Sequence, residues 1–246
     1  MREPRLYLPG PLESGSSCAL SGEVHHYLTR VLRLRVGAAL VVFDGRGGEY
    51  RAVVDSIARH EAVIRVGEHR AVEREPPVTL RLAQGIGRGE RSDLAVQKAV
   101  ELGATHIVLL LTEHGVVRLE AERAARRTRH WQGIATHAAQ QCGRTRLARV
   151  EGVHRLRDWL PTLADGGLRL VLDPEAGEPL GTGLYPGGPI TLLVGPEGGL
   201  SAAELAAARG HGFVAVRLGP RTLRTETAAI AGLAAVQLLW GDLALP

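Results

Sequence analysis

Two short segments near the carboxyl end carry residue types suited to holding a ligand. The first is Gly195-Pro196-Glu197-Gly198-Gly199, which follows the apolar run Ile190–Val194 and precedes a helix pattern opening at Ser201. The second is LGPRTLRTETA, residues 218–228, which sets Arg221 and Arg224 beside Thr225 and Glu226. Glycines let a main chain approach a flat ligand closely and offer it unhindered N–H and C=O groups. Neither segment is the dinucleotide fingerprint G-x-G-x-x-G or the phosphate loop G-x-x-x-x-G-K-[ST]. The first loop has an acid, Glu197, and no lysine, so a triphosphate fits it poorly. A neutral or cationic adenosyl compound fits better, and S-adenosylmethionine is one: it has a sulfonium, an amino acid end and no phosphate. Tight turns carrying helix caps are the plainer alternative.

The elements that must position these loops are legible in outline. Val78–Ala83, His106–Leu111, Leu168–Leu172, Ile190–Val194 and Phe213–Leu218 read as strands. Helices are expected over Asp93–Leu102, with Asp93 as cap and Gly103 as stop, and over Glu120–Gln141. A short helix is expected from Ser201 to Gly210, where Ser201 and Glu204 form a capping box, and a last one over Thr225–Trp240. Strands alternating with helices predict a parallel α/β sheet, whose ligands bind at the carboxyl ends of the strands. Both glycine-bearing loops leave a strand and enter a helix, so both belong on that edge. Residues 1–72 read differently. Short apolar runs such as Ala39–Phe43 and Ala62–Val66 alternate with Asp44-Gly45 and Gly47-Gly48, which predicts a small β-barrel or sandwich. The stretch VEREPP, 72–77, separates the two regions as a linker.

With 246 residues and 45% hydrophobic composition the chain can bury a sizeable core as one large or two ordinary domains. The start, MREPRLYLPG, is too polar for a secretory signal, and the longest nearly apolar stretch, Ala228 to Trp240, is too short for a membrane span. A soluble, cytoplasmic protein is expected, with no membrane partner. Its two cysteines, Cys18 and Cys142, lie far apart outside any C-x-x-C, which disfavours a disulfide framework or cysteine zinc site. Charge is uneven. Residues 1–75 sum to +1 (11 basic, 10 acidic), 76–150 to +6 (12 and 6) and 151–246 to −3 (7 and 10). The middle third therefore suggests a polyanionic partner. Its basic residues are almost all arginine, whose planar fork matches phosphate oxygens in pairs.

LLVGPEGGLSAAE, LGPRTLRTETAAIAGLAAVQ and the terminal Gly241-Asp242 together resemble the RsmE family of ribosomal RNA methyltransferases, of the SPOUT class. HHYLTRVLRLRVG (25–37), FDGRGGEY (43–50), RGERSDLAVQKAVELGATHI (88–107) and AAQQCGR (138–144) extend the resemblance over almost the whole chain, in order. The resemblance implies an N-terminal PUA-like β-barrel that binds RNA, residues 1–72, and a C-terminal SPOUT α/β domain with a trefoil knot, residues 78–246. It implies a homodimer that methylates uridine N3 in 16S ribosomal RNA of the small subunit. Motif matching assigns S-adenosylmethionine to Leu172, Leu193, Val194, Gly195, Glu197, Gly198, Leu218, Gly219, Leu223 and Thr225.

Attack by uridine N3 requires loss of its imide proton, with charge spreading to O2 and O4. A fixed cation aimed at those oxygens lowers the barrier. Arg224 is the first candidate, Arg221 the second. Glu226 and Glu197 either accept the proton or orient an arginine, unless they only favour a helix dipole. RNA contacts are expected from Arg88, Arg91, Gln141 and Arg144, from Arg118, Arg146 and Arg149, and from Arg123, Arg126, Arg127 and Arg129, the last four being otherwise a solvated helix face.

His130 and His137 stand two helical turns apart, too far to share one ion, so no metal is expected. Cys142 has no base near it in sequence, and N3 methylation needs no covalent step. The helix 228–240 serves either the core or a dimer interface. A non-catalytic ribosome-assembly factor that keeps the scaffold and the basic surface is the alternative to an enzyme.

Overall fold

The computed structural model describes residues 3–115, 121–164, 166–181, 183 and 185–243. Arg118 and Glu120 lie outside the described residues. Two compact units are present: Met1–Glu75 with Ala139–Leu147, and Pro76–Ala138 with Ala148–Pro246.

The first unit is built on β1 (Arg5–Tyr7), β2 (Ser17–Ser21), α1 (Gly22–His26, continuing as a π-helical turn Tyr27–Val31), β3 (Ala39–Phe43), β4 (Glu49–Ile57) and β5 (Glu61–Arg70). Their order in the sheet is β1-β3-β4-β5-β2, with β1 parallel to β3 and the other pairs antiparallel. Period-2 alternation turns Ala62, Ile64 and Val66 of β5 inward against Ala52, Val54, Leu40 and Val42. No ladder among the described residues joins β1 to β2, so hydrogen bonding does not close the expected barrel. The three-residue β1 and the short β2 remain as edges.

A buried polar cluster ties this unit together. Glu49, 3% exposed, accepts from the guanidinium of Arg5, which is itself buried, and lies 3.2 Å from Arg70 and 3.6 Å from Arg74. Arg5 also donates to the Arg144 carbonyl at 3.1 Å. Arg144 departs from its expected role at RNA. It is 4% exposed, and its Nε and Nη2 donate to the Glu75 carboxylate. A guanidinium desolvated against a carboxylate is a strut inside the unit and has no face left open to a phosphate.

The second unit comprises β6 (Leu80–Gly85), α2 (Arg91–Glu101), β7 (His106–Leu111), α3 (Ala121–Cys142, whose last residues cluster with the first unit), β8 (Arg149–Arg155), α4 (Leu156–Trp159), β9 (Leu168–Leu172), β10 (Ile190–Val194), α5 (Ala202–Gly210), β11 (Val214–Val216) and α6 (Thr225–Trp240). All strands run parallel in the order β11-β9-β10-β6-β7-β8. Strand β10 is buried at every residue, as a central strand covered on both faces must be. On one face Leu193, Val171, Ala83 and Val108 pack with Trp159, Leu160 and Phe213. The expected capping box is formed: Ser201 Oγ accepts from the Glu204 N–H at 3.1 Å, and Glu204 accepts from the Ser201 N–H at 2.9 Å. Asp93 is not the cap of α2, whose N-cap position is Glu90. Its carboxylate instead accepts from Trp131 Nε1 at 2.8 Å and meets His130 Nε2 at 2.9 Å, fixing α3 to α2.

The strand order locates the site. From β6 the chain proceeds to β7 and β8 on one side, then crosses to build β9, β10 and β11 on the other. The loops leaving β6 and β10 therefore diverge at neighbouring strand ends, the crevice where open α/β sheets receive ligands.

Candidate active site

At the carboxyl edge of the second sheet lies a cavity of about 490 Å³, within the range of small-molecule sites. Three loops wall it: residues 172–174 after β9, 194–200 after β10, and 218–225 after β11. Arg91, Leu205 and Ala228 complete it. Nine of the ten residues matched to the donor line this cavity: Leu172, Val194, Gly195, Glu197, Gly198, Leu218, Gly219, Leu223 and Thr225. Leu193 does not. It is fully buried, and strand alternation turns its side chain to the opposite face of β10.

Thr225 is the knot of contacts that holds the loops in register. Its Oγ1 donates to the Gly195 carbonyl at 2.6 Å and accepts from Gln84 Nε2 at 2.8 Å. One hydroxyl thus joins the end of β6, the loop after β10 and the first turn of α6. The residue before it, Arg224, is the extended N-cap of α6. Arg221 and Arg224 both line the cavity and are exposed, and their side chains have no hydrogen-bond or ion-pair partner among the described residues. They are free to meet an anionic group. Glu226 is placed otherwise: it does not line the cavity, and its Oε2 is buried without a protein partner.

Glu197 accepts from the Arg88 N–H at 3.0 Å and from Arg91 Nη1 at 2.5 Å. Partial burial pushes its carboxyl up. The Arg88 N–H, its own N–H and the Arg91 guanidinium outweigh that and hold it below the ordinary carboxylate range. A carboxylate so held is a weak proton acceptor. Arg91, expected only at RNA, is thus also part of the cavity wall, while Arg88, Arg126, Arg129 and Gln141 are exposed.

The donor set suits an adenosyl sulfonium. Leucine, valine and glycine supply flat apolar walls and open main-chain groups, and Asp173 and Glu197 favour a cation, while the cavity's own cations are Arg91, Arg221 and Arg224. Asp173, which sequence reading passed over, had a usable signal as the first polar residue after a strand of this edge. Among the described residues no three His, Cys, Asp or Glu side chains gather as a metal site, and no helix is long and apolar enough to cross a membrane.

The RNA methyltransferase domain family matches residues 74–237, and the RNA methyltransferase PUA domain family matches residues 20–67. The ribosomal RNA small subunit methyltransferase E of Mycobacterium tuberculosis is 36% identical over 236 residues, 92% of this chain and 88% of that protein. The protein of that name from Bacillus subtilis is 29% identical over 243 residues, 94% and 95% of the two chains. Among solved structures, a methyltransferase of Legionella pneumophila in complex with S-adenosylmethionine superposes with a TM-score of 0.95 at 34% identity, covering 99% of this chain and 100% of that one. The ribosomal RNA small subunit methyltransferase E of Neisseria gonorrhoeae bound to S-adenosylmethionine gives 0.92 at 36% identity, covering 98% and 100%.

Proposed function

The chain belongs to the RsmE family of ribosomal RNA small subunit methyltransferases, and from that premise we propose that it transfers the methyl group of S-adenosylmethionine to N3 of a uridine in small-subunit ribosomal RNA. The observation that carries the reading is a cavity walled by glycine-bearing loops that sets Asp173 and Glu197 beside Arg221 and Arg224, whose side chains have no partner among the described residues. When bound, S-adenosylmethionine supplies an electrophilic methyl on a positively charged sulfur. Leu172, Val194, Leu218 and Leu223 would flank its adenosyl part, and the main chain of residues 195–199 would meet its polar edges. Arg224, with Arg221 as the second candidate, would meet the charge that grows on O2 and O4 as the imide proton leaves. A cation standing at those oxygens stabilises that charge as it develops. Thr225 sets the position of Arg224 by pinning the first turn of α6.

The fold reading extends to the SPOUT class and its trefoil knot. The route of the chain supports it: β11 is the edge strand beside β9, yet α6, which follows, returns to pack on α2, β10 and β6. A homodimer built on α6 is supported by Leu238, Leu239 and Leu243, which are exposed on and just after that apolar helix. A cytoplasmic site of action follows from a ribosomal substrate.

Mass mapping of ribosomal RNA nucleosides from cells with and without the protein is expected to lose one N3-methyluridine. An unchanged nucleoside map refutes the activity. On the RNA side, Arg126→Glu with Arg129→Glu is expected to weaken binding of a small-subunit RNA transcript and flatten its salt dependence, as about two phosphate contacts are lost. A salt slope equal to that of the wild type would assign these arginines to a solvated helix face.

A further inference from the structure

Glu197 sits in the donor loop, yet its hydrogen bonds run to a different loop. One carboxylate oxygen accepts both the Arg88 main-chain N–H and the Arg91 guanidinium, 3.0 and 2.5 Å away. Arg88 lies in the loop between β6 and α2, and Arg91 is the first residue of α2. This stretch is shaped to receive the donor loop. A Cβ on Gly85 would stand 2.6 Å from the Pro196 nitrogen, a clash with main chain that only a backbone shift relieves. A Cβ on Gly87 would stand 3.1 Å from the Glu197 carboxylate. Glycine at 85 and 87 is what lets the loops touch. Nor is the start of α2 secured by a cap of its own, since Glu90 makes no side-chain capping bond.

We propose that Glu197 is a positioning residue for the acceptor RNA: from within the donor loop it fixes the β6–α2 loop so that Arg88 and Arg91 are presented to the nucleic acid. The inference rests on the reading, made above, that these two arginines contact RNA. Glu197 takes up only the main-chain N–H of Arg88, whose side chain is exposed and has no partner among the described residues. It engages only Nη1 of Arg91, and a guanidinium fork has further N–H donors to offer a phosphate. The ionised state argued above keeps both bonds charge-assisted.

The sign of the effect makes the role testable. Removing a carboxylate near a polyanion raises the local positive charge, so electrostatics alone predicts tighter RNA binding and a steeper salt slope. Positioning predicts the reverse. Fluorescence anisotropy with a small-subunit ribosomal RNA transcript would compare the full-length wild type with Glu197→Ala, Glu197→Gln, Arg91→Ala and the Glu197→Ala/Arg91→Ala double variant. Glu197→Ala is expected to weaken RNA binding about tenfold, with Glu197→Gln, which still accepts the Arg88 N–H, weakening it less. In the double variant the two losses are expected to combine to less than their product, because Glu197 acts partly through Arg91. RNA binding by Glu197→Ala as tight as wild type or tighter, beside a weakened Arg91→Ala, overturns the positioning role alone. Unchanged binding by Arg91→Ala as well overturns the assignment of this loop to RNA and the proposal with it. The glutamine variant, which preserves shape and an acceptor, separates loss of positioning from a general failure to fold.

Discussion

Arg224→Ala is expected to reduce the rate of methyl transfer by about 10²–10³-fold while changing the affinity for S-adenosylmethionine by no more than about threefold. The split follows from where the side chain stands. Arg224 is exposed at the cavity wall and its side chain has no partner among the described residues, so its removal leaves no buried group unsatisfied and opens no void in the core. The loop itself is held by the next residue, whose hydroxyl bonds Gly195 and Gln84 and is untouched by the substitution. On the proposed mechanism, what disappears is the cation that meets the oxygens gaining charge as N3 loses its proton. Arg224→Lys keeps the charge and loses the planar fork, so it should recover part of the rate. Single-turnover methylation of the transcript, with calorimetry of the donor, reads the two quantities separately. Wild-type turnover in the alanine variant removes Arg224 from the chemistry. Loss of donor affinity parallel to the loss of rate moves it to the donor site.

Much of this site was legible in the sequence because it is local. A strand followed by a glycine-bearing loop and a capped helix specifies its own backbone, and the edge rule for parallel sheets then gathers such loops without further information. The capping box of α5 forms as its residues predict, and nine of the ten residues matched to the donor by motif line the cavity at that edge. Leu193 shows the limit of motif matching, since a residue inside a matched segment can still face the core when strand alternation sends it there. Arg144 and Asp93 show another limit: each is claimed by a partner remote in sequence, Glu75 and Trp131, and Arg91 likewise gains a contact with Glu197 that its own neighbourhood does not announce. A charge on a helix or loop looks solvated until the fold supplies its partner, and no periodicity announces pairings across 38, 69 or 106 positions. Strand β8 escaped notice for a related reason, because RVEGVHR has too few apolar residues to advertise an edge strand.

Glu49→Gln is expected to destabilise the first unit by about 3 kcal/mol, near the low end of what breaking a buried ion pair costs. The substitution keeps the volume and removes only the charge. Arg5, buried beside it, then stays cationic without a counter-ion, and Arg70 and Arg74 lose their shared anchor. The same cluster predicts a dependence on pH. Burial pushes the Glu49 carboxyl up, but the Arg5 hydrogen bond and the charges of Arg5, Arg70 and Arg74 together hold it below its ordinary value. A carboxyl depressed in the folded state contributes stability that is fully present above its unfolded pKa and is lost as the pH falls through its folded one. The wild-type unit should therefore weaken on acidification below about pH 4.5, the unfolded range for a glutamate, and the glutamine variant should lack that component. Tryptophan fluorescence is the wrong probe, since Trp131, Trp159 and Trp240 all belong to the second unit. Amide exchange of β4 and β5 reports on the first directly, and it should accelerate by about two orders of magnitude in the variant at neutral pH. Exchange within twofold of wild type would mean that Arg5 finds compensation elsewhere, and that the cluster around Glu49 does not hold the unit together.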